Sequence, residues 1–341
     1  MKALVINAPG ETSCIEVPDP KLGENDVLLR VRVVGFCGTD LNTFRGVNPL
    51  VDYPRIPGHE LACTIEEVGT AVPEPFRPGL DVVVHPYSNC GRCSACRQGR
   101  FNCCSANQTL GVQRDGGLSE RMVIPWTKLY TSDKLSLREM ALVEPLTVGY
   151  HAVMRGRVTE SDTVAVIGCG AIGIGVLAAA ASLGARVIAI DVDDQKLALA
   201  RKVGAGHIIN SATTDLHTEL QARTDGQGPD VTIEAVGLRQ TFRAAVEETS
   251  YAGRVVYIGY SKQPVEYDTK HFILRELDIL GSRNALPEDF RAVMAFLEKK
   301  AFPVDQVVTR VVPFAEAGAA LAAWADDPPS VAKIHVDIAG A

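Results

Sequence analysis

The run Thr163-Val164-Ala165-Val166-Ile167 ends on Gly168-Cys169-Gly170-Ala171-Ile172-Gly173, and that junction restricts what the second half of the chain can become. So predominantly apolar a pentapeptide is expected to be a strand buried on both faces, and G-x-G-x-x-G behind it marks the turn into a helix. Gly168 permits a tight turn, Gly170 leaves room for a pyrophosphate, and Gly173, after Ile172, lets helix and strand pack closely. Unpaired amides at the helix N-terminus then face the phosphates. Further apolar runs at 186–191, 207–210, 231–236, 254–259 and 277–281 alternate with Ala-, Leu- and Glu-rich stretches such as 172–183 and 194–203. Six such runs imply a parallel sheet with helices on both faces. Eighteen residues beyond Gly173 the second run ends in Asp191, placed to accept bonds from the ribose hydroxyls of an adenosine. A carboxylate there disfavours a 2′-phosphate, and no Arg follows in the next few residues, so the expected cofactor is NAD rather than NADP.

Residues 1–131 have a different texture, with short β-rich runs at 3–7, 26–35, 62–68, 81–85 and 118–124 broken by Gly and Pro. After 281 a helix (289–300), a strand (308–312), an Ala-rich helix (315–324) and a last strand (333–338) are expected to return to this first lobe. Within the lobe, Cys90, Cys93, Cys96 and Cys104 have the spacing of a structural zinc site. Two residues between successive cysteines let three thiolates converge on one ion at about 2.3 Å, and a longer excursion brings in the fourth. Neighbouring side chains of an extended segment point in opposite directions, so Cys103 and Cys104 cannot both close the site, and Cys104 is assigned. Cys37, His59 and Glu144 are candidate ligands for a second ion in the same half.

At 341 residues the chain is long for a single core, and two domains are expected. With 46% hydrophobic and 22% charged residues it is globular in composition. No apolar run approaches the roughly 18–20 residues of a membrane span. The sequence enters a strand pattern from Met1 without a charged leader and apolar core, and its nine cysteines cluster by metal spacing. A reducing, cytoplasmic setting is the expectation. A net charge of −7 argues against nucleic acid and for small-molecule partners. It also counts, with the lack of a Lys/Arg cluster around 90–104, against a distant alternative: a zinc-ribbon nucleic-acid module joined to a redox-sensing dinucleotide domain.

Cys37-Gly38-Thr39-Asp40, Gly58-His59-Glu60, the four-cysteine loop, Glu144-Pro145 and the glycine fingerprint follow one another in the order and spacing of the zinc-containing medium-chain alcohol/polyol dehydrogenases. The resemblance covers essentially the whole chain. Leu142-Val143-Glu144-Pro145-Leu146 is similar to the sorbitol-type segment, and 111–117 with 281–285 resembles galactonate-type sugar-acid dehydrogenases. The resemblance implies an α/β chain in which a Rossmann-type doubly wound parallel sheet (149–284) is inserted into a β-rich GroES-like catalytic domain (1–148 and 285–341). It implies that Cys37, His59 and Glu144 face a catalytic zinc, with water or substrate completing the shell and Glu60 beside it or an occasional ligand. Thr39 is implied to carry the substrate hydroxyl proton outward, and Asp40 to fix the loop or bond His59. Relatives often have a relay histidine five positions after the zinc cysteine; here Asn42 cannot titrate, and that role is not carried over. The implied activity is hydride transfer from a secondary hydroxyl of a polyol or sugar acid to NAD. L-Threonine or a simple alcohol is the alternative within the same chemistry. A sugar-acid carboxylate calls for a planar, permanently charged donor, for which Arg283 with Asn284, then Arg114 and Arg45, are candidates. A homodimer or homotetramer is implied, and the apolar edge strand 277–280 would be hazardous if bare.

Overall fold

The computed structural model describes residues 1–328 and 331–338. The chain forms two compact units: Met1–Glu144 with Leu286–Lys300 and Val304–Ala341, and Pro145–Ala285 with Ala301–Pro303. In chain order the first unit holds β1 (Lys2–Ala8), β2 (Glu11–Glu16), β3 (Asp26–Phe36), β4 (Glu60–Val68), β5 (Asp81–Val84), β6 (Arg121–Pro125) and β7 (Leu129–Thr131). The second holds β8 (Thr163–Ile167), β9 (Arg186–Asp191), β10 (His207–Asn210), β11 (Val231–Glu234), β12 (Arg254–Tyr257) and β13 (Asp278–Gly281). The chain then returns to the first unit with β14 (Arg310–Pro313) and β15 (Ile334–Asp337).

The first unit is a sheet ordered β14-β15-β3-β4-β5-β7, with β6 also on β3 and β1-β2 as a separate hairpin. Alternation along β3 drives Val27, Leu29 and Val31 into a core shared with Leu61, Ile65 and Phe36, all essentially without solvent contact. β2 was not anticipated. Its Glu-Thr-Ser-Cys-Ile-Glu sequence is mostly exposed, so it has no apolar face to betray it, and it is held by antiparallel pairing with β1, Leu4 opposite Cys14. Pro145 lies in the first turn of the helix Val143–Arg155, where a missing N–H costs little, so the Glu144-Pro145 step starts a helix and does not kink one.

The second unit is an all-parallel sheet ordered β10-β9-β8-β11-β12-β13. All five residues of β8 are buried, which accounts for the apolar run Val164–Ile167, and the one hydroxyl, on Thr163, accepts hydrogen bonds from Arg186. The strand order reverses beside β8, and such a switch point opens a crevice at the carboxyl ends of the strands. There Gly168 has a φ of 98°, and a Cβ on Gly173 would lie 1.8 Å from the Gly168 carbonyl oxygen, so helix Ala171–Ser182 can start this close to the strand only with glycine at both positions. Among the described residues no helix is long and apolar enough to cross a membrane.

Candidate functional site

In the first unit β3 ends at Phe36, and Cys37 caps the helix Gly38–Phe44 that follows. Asp40, with no solvent exposure, sits in the first turn of that helix and accepts hydrogen bonds from the Cys37 amide (2.8 Å) and the Gly58 amide (3.2 Å). One carboxylate therefore ties together the two chain segments that carry Cys37 and His59. It does not hydrogen-bond the imidazole: His59 Nδ1 lies 3.9 Å from Asp40 Oδ1 and has no hydrogen-bond partner among the described residues. Thr39 Oγ1 lies 3.7 Å from Cys37 Sγ. Cys37, His59 and Glu60 bring ligand atoms within 4.8 Å of one another. Burial alone would push His59 down, but Asp40, Cys37 and Glu144 outweigh it and hold its pKa well above the ordinary histidine value. Asp40 and Glu144 are both raised, chiefly by burial. A half-buried thiol, a buried imidazole and a buried carboxylate in mutual reach form a place that favours a cation, and the mixed S/N/O donors suit zinc.

Among the described residues the carboxylate grouped with Cys37 and His59 is Glu60, which the resemblance gave as a neighbour or occasional ligand, while Glu144, the ligand it implied, lies outside that group. Glu144 is buried and accepts a hydrogen bond from the Tyr87 hydroxyl, whose own pKa burial and Glu144 raise well above the phenol value. Glu60 turns inward from the first position of β4, and Lys333, at the foot of β15, donates to both its oxygens (2.6 and 2.7 Å) and to the Phe36 carbonyl (3.2 Å). Burial opposes the Lys333 charge, but Glu60, Cys37 and Glu144 more than compensate, and its pKa is raised. Lys333 and Tyr87 were not singled out from sequence. The signal for Lys333 was available: a lysine inside the apolar run 331–336 must either break the strand or carry its charge to a buried partner.

Cys90, Cys93, Cys96 and Cys104 also lie within 4.8 Å of one another, and all are free thiols. Sulfurs held tetrahedrally at about 2.3 Å from one ion stand about 3.8 Å apart, close to the 3.9 Å between Cys93 and Cys104 and far beyond a disulfide. Amides of Cys90 and Ala106 point at the Cys104 sulfur (3.3 and 3.4 Å), and the Cys93 amide at Cys90 (3.4 Å). Hydrogen bonds from neighbouring amides pull the Cys93 thiol down to about 5. Cys103 ends the 3₁₀ turn Phe101–Cys103 and lies outside the cluster, near the Arg100 guanidinium (3.8 Å), so a tight turn and not an extended segment separates the neighbouring thiols.

In the second unit a cavity of about 550 Å³ is lined by Gly168, Gly170, Asp191, Lys196, Ser211 and Thr241 among others. Asp191 ends β9, and its carboxylate accepts hydrogen bonds from the amides of Cys169 (2.7 Å), Val192 (2.8 Å) and Asp193 (3.1 Å). It is thereby stapled to the glycine loop before any ligand arrives. Ile172 and Gly173 lie in the first turn of the helix behind that loop. Arg283 and Asn284 follow β13 in this unit, Asn284 at a φ of 52°. In the first unit Arg114 donates to the Pro86 carbonyl (3.4 Å), Arg45 to the Ala325 carbonyl, and Asn42 is half-buried on the Cys37 helix.

Residues 23–134 match the alcohol dehydrogenase GroES-like domain, and 171–299 match the zinc-binding dehydrogenase family. The L-galactonate-5-dehydrogenase of Escherichia coli K12 is 31% identical over 92% of both chains. A sorbitol dehydrogenase of Bacillus subtilis is 34% identical over 82% of this chain and 81% of its own. An Escherichia coli CFT073 alcohol dehydrogenase solved with NADH superposes with a TM-score of 0.92 at 31% identity, covering 99% of both chains. A zinc-binding dehydrogenase of Sinorhizobium meliloti solved with NADP gives 0.91 at 29% identity, again over 99% of both. With this architecture and this likeness along its whole length, the chain belongs to the zinc-containing medium-chain alcohol/polyol dehydrogenase family.

Proposed function

We propose that this chain is an NAD-dependent dehydrogenase that oxidises a secondary hydroxyl of a polyol or sugar acid, galactonate-like, at a zinc ion held by Cys37, His59 and a carboxylate. The observation that carries the reading is the convergence of Cys37, His59 and Glu60 within 4.8 Å. Zinc bound there would act as a Lewis acid toward the substrate hydroxyl, and the nicotinamide would accept hydride. The chain's own residues supply the rest. Glu60 is assigned the third ligand position, and Glu144 forms the wall beside it with its carboxylate oriented by Tyr87. Asp40 keeps the Cys37 and His59 segments in register through the two amides it binds. Thr39, beside Cys37, would relay the proton that leaves the substrate hydroxyl, accepting it as its own hydroxyl proton passes outward to water. Lys333 balances the local negative charge. Cys90, Cys93, Cys96 and Cys104 hold a second, structural ion.

Asp191, already aligned by three amides, would receive the ribose hydroxyls and repel a 2′-phosphate, although Lys196 lines the same cavity. Arg283 and Asn284 are assigned to a sugar-acid carboxylate. The reading places the protein in the cytoplasm, acting on small molecules as a homodimer or homotetramer.

Zinc analysis with NAD and NADP turnover on a panel of aldonates, polyols, simple alcohols and L-threonine tests this. Expected are about two zinc ions per chain, turnover of an aldonate or polyol with NAD, and no turnover by Cys37→Ala despite retained NADH binding. Glu60→Gln should lose catalytic zinc more readily than Glu144→Gln, and Asp191→Ala should gain NADP use. A protein that binds zinc only at the four-cysteine loop would overturn the assignment.

A further inference from the structure

The first unit contains a second open cavity, of about 670 Å³, between the segment 126–131 and the helix Pro287–Leu297. None of the metal-site residues named above lines it. That volume is within the range of small-molecule sites. Its walls combine aromatic rings, Phe76, Trp126 and Tyr130, with two cationic side chains, Lys128 and Arg291. Phe290 stacks on Tyr130 (ring centroids 5.2 Å apart, planes within 14°), and the Arg291 guanidinium carbon lies 5.6 Å from the Tyr130 centroid, so this wall is built on a packed aromatic pair. The lining holds these two cations against one acid, Glu298, which is engaged by the Ser132 hydroxyl (2.8 Å) and Lys134 (3.8 Å), while Glu288 and Asp289 act on Tyr130 from outside the lining.

His85 forms part of the same wall, 6% exposed, and among the described residues neither ring nitrogen has a hydrogen-bond partner. Burial, with Lys128 adding to it, pushes its pKa down to about 3, so the ring is neutral at physiological pH and offers one N–H and one lone pair. A buried imidazole without a partner costs free energy that a ligand could recover.

We propose that this cavity is a binding site for a small aromatic carboxylate, its ring against Trp126 and Phe76 and its carboxylate between Lys128 and Arg291 beside His85. The site has a route to the metal cluster. The Lys128 ammonium donates to the Tyr87 carbonyl (2.8 Å), and the Tyr87 hydroxyl holds Glu144. A carboxylate that draws Lys128 away acts on the residue that orients Glu144.

Calorimetric titration of the zinc-loaded protein with benzoate, benzamide and acetate tests the proposal. Benzoate should bind at one site per chain, and benzamide and acetate at least about tenfold more weakly, since one lacks the charge and the other the ring. Arg291→Ala and Ala295→Glu, both at exposed positions of the helix that lines the cavity, should each weaken benzoate at least about tenfold. Cys37→Ala should leave it unchanged, because a benzoate lodged on the catalytic metal would be lost there instead. No saturable binding, equal binding of acetate, retention in both Arg291→Ala and Ala295→Glu, or loss in Cys37→Ala would each overturn the site.

Discussion

At the scale of single residues, the position of Glu60 depends on a side chain that is missing. Gly35 pairs with Glu60 across β3 and β4, and a Cβ on Gly35 would lie 2.1 Å from Glu60 Oε2 and 3.0 Å from Glu60 Cβ. Lys333 pins the carboxylate in a fully buried place, so it cannot swing away without leaving a buried ammonium unpaired. Gly35→Ala is therefore expected to displace Glu60 and to cost roughly 10–100-fold in metal affinity or turnover, as loss of the groups that support a metal site typically does. Metal content after dialysis against a graded series of chelator concentrations checks this, and wild-type retention of metal would show that Glu60 is not held in place by Gly35. Cys37 and His59 were legible because each lies in a short, recognisable string of residues. The inward turn of Glu60 was not, because it depends on a glycine across the sheet and on a lysine 273 residues away in the chain.

At the scale of elements, the four-cysteine loop brings Cys104, the residue assigned from sequence, to the other three thiols and leaves its neighbour Cys103 outside. Cys96→Ser should remove about one zinc per chain and lower the unfolding temperature by roughly 5–15 °C, since a structural ion contributes folding free energy directly. Cys103→Ser, outside the cluster, should change stability by no more than about 0.5 kcal/mol. Metal analysis and thermal unfolding of the pair settle the register; equal effects would mean that Cys103 shares the site. In the second unit Arg254, opening β12, bonds Asp162 just before β8 and the carbonyls of Gly156 and Arg157 (both 3.0 Å). Burial opposes the Asp162 charge, but Arg254 and Thr159 outweigh it and hold the carboxyl below the usual Asp range. A depressed folded pKa gives stability that is present above the unfolded value of about 3.9 and is lost as pH falls through the folded value. Asp162→Asn should thus cost about 1.5–3 kcal/mol near neutrality, with the gap to wild type closing below about pH 4. Denaturant unfolding at a series of pH values tests it, and a gap independent of pH would remove the ion pair as its cause. The central parallel strands were legible because burial on both faces makes them nearly continuous in apolar residues, as β8 shows, and the more exposed β10 and β13 kept short apolar runs; β2, held by backbone pairing with an exposed polar face, carries no such signature.

At the scale of the whole molecule, the doubly wound sheet ends on an open edge. Among the described residues β12 is the one strand that pairs with β13, Ile279 opposite Val255, so β13 is an edge of the sheet. Ile279 is 41% exposed, and the same unit exposes Tyr251, Tyr260, Ile273 and Leu274, each by 65% or more. Soluble sheets protect such edges with charge, proline or cover, and here Asp278 at the start of the strand is already paired with Arg157. The remaining economical cover is a second copy, because an edge strand related to itself by a twofold axis pairs antiparallel and satisfies both rows of amides and carbonyls at once. The intact protein is expected to be a dimer or a larger even-numbered assembly. Ile279→Lys, which places a charge on the joining strand, should shift it toward monomer without changing the parallel sheet within each chain. Light scattering coupled to size-exclusion chromatography at micromolar concentration, with circular dichroism as the folding control, reads both halves of the expectation. A wild-type monomer, or a folded Ile279→Lys variant that assembles as before, would show that the edge is covered in some other way.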